Sequence, residues 1–476
     1  MKTDAPWPGL VEARERVLGM QTKLHRWSNG DATARFDDLF NLVVDPAFLR
    51  IAWERVAGNT GARSAGIDGL TVRAIQARDG RVDFLNDLRD AVKSGRFVPS
   101  PVKQRKIPKS PGKYRTLGIP TVADRVVQAS LVLVLEPIFE ADFHPSSYGF
   151  RPRRRAWDAV AEIQMFASRS YEWVFEADIT ACFDEIDHTA LMGRVRRRVG
   201  DKRVLALVKA FLKAGALSED QVMRRTDTGT PQGGILSPLL ANIALEVLDE
   251  HFARVWAATS ATRVDRSRRR RRGEPTYRLV RYADDFVVMV SGTRDHAQAL
   301  WQQTTDVLAP LGLRLSQEKT SVVHIDDGFD FLGFRIQRHR KPGTSKSFVY
   351  TFPARKSVAA VRRKVKAITK QGTNQPLSEV LRQLNPLLRG WTRYFQHGVS
   401  KRTFGYLRHY TWSRVVTWLR NKHRRTGWKA LRRRYSTQGW WPQHAGIVLF
   451  DPGAVAVTRY RYRGNVATPW AEPAPA

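Results

Sequence analysis

The sequence predicts an α+β region followed by an all-helical one, and three observations carry that prediction. Residues 61–340 alternate helix and strand signals and hold most of the acidic residues. Within them, Leu279 and Val280 lead into Arg281-Tyr282-Ala283-Asp284-Asp285, and Phe286 to Val290 is unbroken apolar sequence. That pattern reads as strand, tight turn and buried strand. Residues 341–440 place Leu377, Val380, Leu381, Leu384, Leu387, Leu388 and Trp391 at helix spacing. Flanking these regions, residues 1–60 are expected to be helical beyond about residue 8, and residues 441–476 to form a short irregular tail. At ~100–200 residues per domain, 476 residues suit two to four domains.

Charge narrows the class of partner. Lys and Arg number 80 against 45 Asp and Glu, a formal net charge of +35. An excess of that size points to a polyanion, with nucleic acid ahead of an anionic membrane surface. Residues 341–476 alone carry 27 basic and three acidic residues, about two-thirds of the excess, and seven of the 14 tryptophans. Basic residues interleaved with aromatics suit phosphate attraction combined with stacking. Within that region Trp412, Trp418 and Leu419 are expected in the core, and the Arg424–Arg425 and Arg432–Arg434 clusters on the surface. Arg268–Arg272 is expected to be an exposed basic loop. No stretch approaches 18 apolar residues, so no membrane span is expected. The N-terminus lacks the apolar run of a secretory signal. The single cysteine, Cys182, excludes an intramolecular disulfide framework and a Cys-pair zinc site, and suits a reducing intracellular setting.

Three segments carry chemistry. Asp-Asp occurs at 37–38, 284–285 and 326–327. The first is expected on a solvated helix and the third in a turn before Gly328. Only the second lies inside a hydrophobic hairpin, where paired carboxylates are costly unless a cation neutralises them. Oxygen ligands select Mg²⁺. The second segment, Val174-Phe175-Glu176-Ala177-Asp178-Ile179, is an apolar strand ending in an aspartate, which by itself reads equally as a helix cap or turn former. A third carboxylate from a separate strand would complete a two-metal site. The third segment runs from Gly229 through Pro231-Gln232-Gly233-Gly234 to Ser237-Pro238. Ser237 is placed to cap the helix that follows, and the paired glycines permit close backbone approach.

Taken together, these residues resemble the reverse transcriptases encoded by group II introns, the maturases. The family order is a strand-end Asp, a PQG turn and a YxDD hairpin; here Asp178, Pro231-Gln232-Gly233 and Tyr282-Ala283-Asp284-Asp285 follow that order. Further similar blocks are Gly66–Gly69, Ile107-Pro108-Lys109, Tyr114–Pro120, Ser147–Pro152, Lys319-Thr320 and Phe331–Phe334. Beyond them, Asn385-Pro386, Gly390-Trp391 and Tyr394-Phe395 resemble the maturase-specific domain, which also serves as thumb.

The resemblance implies a right-hand polymerase, fingers and palm with an antiparallel palm sheet, followed by the helical thumb. It implies RNA-templated DNA synthesis from dNTPs, with Asp178, Asp284 and Asp285 holding two Mg²⁺ ions and the Ile179 carbonyl completing the coordination. Lys109, Arg115, Gln232 and Lys319 would contact the nucleotide, and Phe183 would gate against a 2′-hydroxyl. A solvated hairpin is the alternative reading of Lys109 and Arg115, and a core phenylalanine that of Phe183. Gly333, Arg389, Trp391, Arg424, Arg425, Arg432, Arg433 and Arg434 would lie toward primer or RNA. The implied partners are the intron RNA, an RNA–DNA or DNA primer duplex and target DNA, in a cytoplasmic or nucleoid-associated ribonucleoprotein. Many family members end in a zinc-dependent endonuclease with paired cysteines; this sequence is expected to lack it, to use no zinc, and to draw its primer from elsewhere. The rival functions are a polymerase co-opted for another element and an RNA-binding splicing factor with a vestigial polymerase.

Overall fold

The computed structural model describes residues 7–110, 113–220, 222–436 and 440–471. Eleven strands form its three larger sheets: β1 (Val102–Ser110), β2 (Lys113–Ile119), β3 (Trp173–Ala177), β4 (Ala216–Leu217), β5 (Met223–Arg224), β6 (Thr276–Tyr282), β7 (Asp285–Ser291), β8 (Ser321–His324), β9 (Phe329–Phe331), β10 (Phe334–Arg340) and β11 (Ser347–Pro353). The fingers sheet has the order β2-β1-β4-β5, the palm sheet β6-β7-β3-β8, and a third sheet β11-β10-β9. Every pair in the palm sheet is antiparallel. This is the α+β architecture expected from the alternating signals.

The palm strands form where the sequence is rich in β-branched and aromatic residues. In β7, Phe286 to Val290 are all buried, because helices and neighbouring strands cover both faces. The helix Ser237–Thr259 packs on this sheet and buries Leu239, Leu240, Ile243, Leu245 and Leu248. One large core joins the N-terminal helices, the fingers helix Val122–Glu140 and one side of the palm. A second core lies between the palm, the third sheet and Phe395 and Phe404 of the thumb. The thumb closes a third around Leu377, Leu381, Leu384, Leu388 and Trp418.

Several local expectations change in the folded chain. Helical structure in the thumb begins at Arg355, because Ser347–Pro353 is strand β11, paired with β10. Val349, Thr351 and Pro353 alternate inward with period two, a strand pattern. Arg268 and Arg270–Arg272 are exposed and Arg269 is half-buried, and most of the run belongs to a helix, Arg263–Arg271. A capping box overrides the charge repulsion: Thr262 Oγ1 accepts from the Asp265 amide at 3.1 Å, and Asp265 Oδ2 accepts from the Thr262 amide at 3.1 Å. Asp37 and Asp38 lie in an irregular segment before the helix Phe40–Val43, not on a helix. Ser237 makes no helix cap; its hydroxyl donates to the Pro231 carbonyl at 2.7 Å and ties the glycine turn to the helix.

The C-terminal segment is largely irregular, yet it docks. Arg463 donates to both carboxylate oxygens of Asp158, Tyr462 Oη donates to Glu162, and the Trp470 indole donates to Gln21 on the first helix. No described helix is long and apolar enough to cross a membrane.

Candidate active site

The strand register brings the predicted carboxylates together. β3 pairs with β7 so that Ala177 faces Phe286; one step further along each strand stand Asp178 and Asp285. β6 and β7 close with Tyr282 facing Asp285, leaving a two-residue turn of Ala283 and Asp284. The buried Cys182 thiol is pushed up by desolvation and by the negative charges of Asp284, Asp184 and Asp178, with Arg281 opposing. Lys319 Nζ donates to Asp178 Oδ2 at 2.8 Å. Ile179 bridges to Leu315 through its neighbours: the Thr180 amide donates to Arg314 O, and the Ser316 amide to Asp178 O. The Ile179 carbonyl is thus not used by that bridge.

The donor set, three carboxylates and a carbonyl, has the all-oxygen chemistry of a hard divalent cation. Among the described residues, however, no group of three or more His, Cys, Asp or Glu closes into a metal cage. Three carboxylates repel one another unless a cation lies between them, and Asp178 is neutralised here by Lys319.

The turn itself is held by residues to which the motif reading gave no role. Ala283 has φ +58°, a left-handed conformation that costs an L-residue about 1–2 kcal/mol. Arg281 is fully buried and forms an ion pair with Asp249 of the helix Ser237–Thr259. Its Nη1 also donates to Asn242 Oδ1 at 3.0 Å and to the Ala283 carbonyl at 3.1 Å. The segment Ser146–Gly149 runs beside β6, with the Arg281 amide on Ser146 O and the Tyr148 amide on Arg281 O. A Cβ on Gly149 would lie 2.2 Å from the Ala283 nitrogen, so only glycine lets this segment lie against the turn. Arg151, in a buried pair with Glu140, fixes that segment by donating to His144 O and Ser147 O.

The fingers reach the site through the glycine turn. The Gly118 amide of β2 donates to Gln232 O at 2.7 Å. Gly233 has φ +114°, and a Cβ there would meet Gly118 O at 2.5 Å. Arg115 Nε donates to Gln232 Oε1 at 2.8 Å, and Gln232 Nε2 donates to Asp184 Oδ2 at 3.0 Å. Burial holds the Asp184 carboxyl above its ordinary range, although Gln232 and Arg115 oppose it. Phe183 is buried in the main core, and its carbonyl accepts from the Thr230 amide. Arg115, Gln232, Asp184 and Phe183 therefore form one connected wall. Lys109 belongs to β1, but its side chain lies outside the described residues.

Comparison with known proteins identifies the family. Residues 107–336 match the family described as reverse transcriptase (RNA-dependent DNA polymerase), and residues 358–436 match the group II intron maturase-specific domain. The chain is 37% identical over 360 residues to protein YkfC of Escherichia coli, covering 72% of this chain and 93% of that protein. It is 31% identical over 356 residues to the group II intron-encoded protein LtrA of Lactococcus lactis, covering 65% of this chain and 58% of LtrA. The chain belongs to the group II intron reverse transcriptase and maturase family. It is accordingly an RNA-directed DNA polymerase by family, and divalent metal ions are general to that family. A putative COX1/OXI3 intron 2 protein of Saccharomyces cerevisiae is 25% identical over 336 residues, covering 63% of this chain and 39% of that protein.

In this reverse transcriptase the palm meets the maturase domain at Gly333. Leu332 and Gly333 both have positive φ and form the two-residue turn between β9 and β10. The Gly333 carbonyl accepts from the Ala354 amide and from Ser357 Oγ, and the Leu332 carbonyl accepts from Tyr394 Oη. Trp391 is half-buried, 4.5 Å from the Phe395 ring and packed against two of the three cores. Its ring is therefore tied to thumb packing. Trp418 and Leu419 are buried, whereas Trp412 is half-buried and donates to the Trp440 carbonyl. Arg389, Arg424, Arg425, Arg432, Arg433 and Arg434 are exposed. Arg432 lies 3.9 Å over the Trp440 ring, which in turn stacks on Trp428 at 4.6 Å. Asp249 and Asn242 were not singled out from sequence, and Arg281, Gly149 and Asp184 stood in or beside the quoted segments without being given a role. The role of Arg281 is legible only once its acid is found 32 residues upstream.

Proposed function

We propose that this chain extends a primer on an RNA template at the site formed by Asp178, Asp284 and Asp285, and that it also binds intron RNA to assist splicing and mobility. The observation that carries this reading is the register of β3 and β7, which sets the strand-end aspartate opposite the aspartate pair of the hairpin. The three carboxylates, with the Ile179 carbonyl, would hold two Mg²⁺ ions, whose chemistry is to activate the primer hydroxyl and stabilise the developing phosphate charge. In the reaction the primer 3′-oxygen bonds to the α-phosphorus of a dNTP, and pyrophosphate leaves.

The chain's own residues orient that reaction. Arg115, tied to the glycine turn through Gln232, meets the triphosphate, and a guanidinium suits bidentate phosphate contact; Lys109 of the same hairpin is assigned to the triphosphate by the family resemblance alone. Gln232, held between Arg115 and Asp184, presents its amide to the incoming nucleotide. Phe183 packs under the sugar and excludes a 2′-hydroxyl. Lys319, which pairs with Asp178, is the cation placed to contact the nucleotide from the palm. Gly333 turns the palm toward the primer. The exposed thumb arginines hold the template–primer duplex and the folded intron RNA by backbone charge and shape.

The test is primer extension on an RNA template with dNTPs and Mg²⁺, beside an Asp284→Ala, Asp285→Ala double variant. Extension by the wild type and background levels from the double variant are expected, with RNA binding equal in both. Absence of extension by both proteins, with RNA bound, would leave an RNA-binding maturase.

A further inference from the structure

A cavity of about 220 Å³ opens on the rear of the palm, at the end of the sheet away from the aspartates. Thr276 and Ser291, which line it, are the far ends of β6 and β7. Six strand steps separate Thr276 from Tyr282, so at ~3.3 Å per residue the cavity lies about 20 Å from the catalytic turn. Four guanidinium groups line it, from Arg169, Arg266, Arg270 and Arg278. The one acid in the lining, Glu274, is already paired with Arg269 at 3.0 Å. Glu162, whose charge also reaches Arg278, accepts hydrogen bonds from Tyr148, Tyr462 and Ser146. Positive charge in the lining therefore exceeds what the protein neutralises.

Arg278 is the built part of the site. Its guanidinium stacks 3.1 Å from the Trp256 ring centre, which fixes its plane. Its Nε is buried and has no hydrogen-bond partner among the described residues. An anion in the cavity would instead be met by the charge-assisted N–H donors that the four lining guanidinium groups can offer. The cavity exceeds the ~30 Å³ share of one water several-fold, leaving room for a phosphate and part of its sugar. Outside the mouth, Arg268, Arg271 and Arg272 continue the positive surface along the capped helix Arg263–Arg271.

We infer that this cavity is a second phosphate-binding site, taking one phosphate of an RNA strand that runs along the basic helix, apart from the polymerase site. A free phosphate carries the same chemistry, and the experiment separates the two sources.

The full chain is compared with two double variants of equal charge change. Arg169→Gln with Arg270→Gln removes two cavity arginines; Arg268→Gln with Arg271→Gln removes two from the same neighbourhood outside it. Binding of a short labelled single-stranded RNA is measured by anisotropy across a salt series. The cavity variant is expected to lose affinity at least about 3-fold more than the surface variant, with a salt slope lower by about 0.7 for the one phosphate it no longer neutralises. Extension of a short pre-annealed primer is expected to be equal in all three proteins. In the second arm, inorganic phosphate is added during thermal unfolding. A phosphate-dependent rise in midpoint in the wild type and surface variant, lost in the cavity variant, supports the phosphate site; if RNA affinity is then the same for the two variants, the source is free phosphate and the RNA assignment is overturned. Equal RNA affinities together with no phosphate-dependent rise overturn the site altogether.

Discussion

The palm and the thumb use arginine in opposite ways. In the palm, Arg281 and Arg151 are buried, each paired with one carboxylate and bonded to backbone carbonyls that shape the segments around the aspartate turn. In the thumb, Arg424, Arg425, Arg433 and Arg434 are exposed, and the core beneath them is aliphatic and aromatic. A reacting centre needs atoms held within a fraction of an ångström, and a buried, multiply bonded guanidinium supplies that constraint. Attraction of a long polyanion depends on how many charges face it more than on where each stands. The same side chain therefore serves as an internal brace in one region and as surface charge in the other.

That contrast is breakable at its strongest point. Arg281→Ala leaves Asp249 buried without its guanidinium partner and frees the Ala283 carbonyl. Breaking a buried pair costs about 3–5 kcal/mol, so chemical denaturation should show a loss of that order and primer extension should fall with it. A stability change under about 1 kcal/mol would mean that the buried pair is not the brace described. Next in size is Gly149→Ala. Its Cβ would meet the Ala283 nitrogen at 2.2 Å, so the turn must shift; a loss of about 1–3 kcal/mol is expected, with extension lowered more than RNA binding.

The thumb should respond in the other sense. Arg424→Gln with Arg425→Gln should change stability by less than about 0.5 kcal/mol, because both residues are exposed. The salt slope of single-strand RNA binding should fall by about 0.7 for each phosphate that these arginines neutralise in the wild type. A large stability loss with unchanged RNA binding would invert the comparison. The smallest effect expected is a pH dependence in the fingers core. Glu136, on the helix Val122–Glu140, is pushed up to about 7 by burial, with Glu140 adding to the rise and Arg55 opposing it. Its folded value lies above its unfolded one, so its stabilising contribution is complete below about pH 4.5 and is lost as pH rises through about 7. Thermal midpoints should therefore fall less between about pH 5 and 8 in Glu136→Gln than in the wild type; parallel curves would remove Glu136 from the account.

Much of the site was legible because its chemistry is local in sequence. Tyr282 to Asp285 reads as a hairpin from its own neighbours, and Asp178 reads as a strand end from the apolar run before it. The order of those segments with the glycine turn identified the family, and the charge of residues 341–476 marked a nucleic-acid surface. Local patterns likewise predicted the thumb helix from Leu377. What the sequence left open depends on partners far apart along the chain. Arg281 stands in the hairpin segment with no role legible until the fold places Asp249 and Asn242 around it. Gly149 reads as an ordinary turn glycine until Ala283 lies against it. Gln232 became the link between Arg115 and Asp184 only when the fingers sheet settled on the turn. The tail was read as irregular, but it holds a short hairpin of Gln443–His444 and Ile447–Val448, and only the folded chain shows Trp470 packed beside Gln21. Periodicity and motif record what a segment does with its own backbone; burial of a charge, or the closeness of two backbones, is a property of the packed whole.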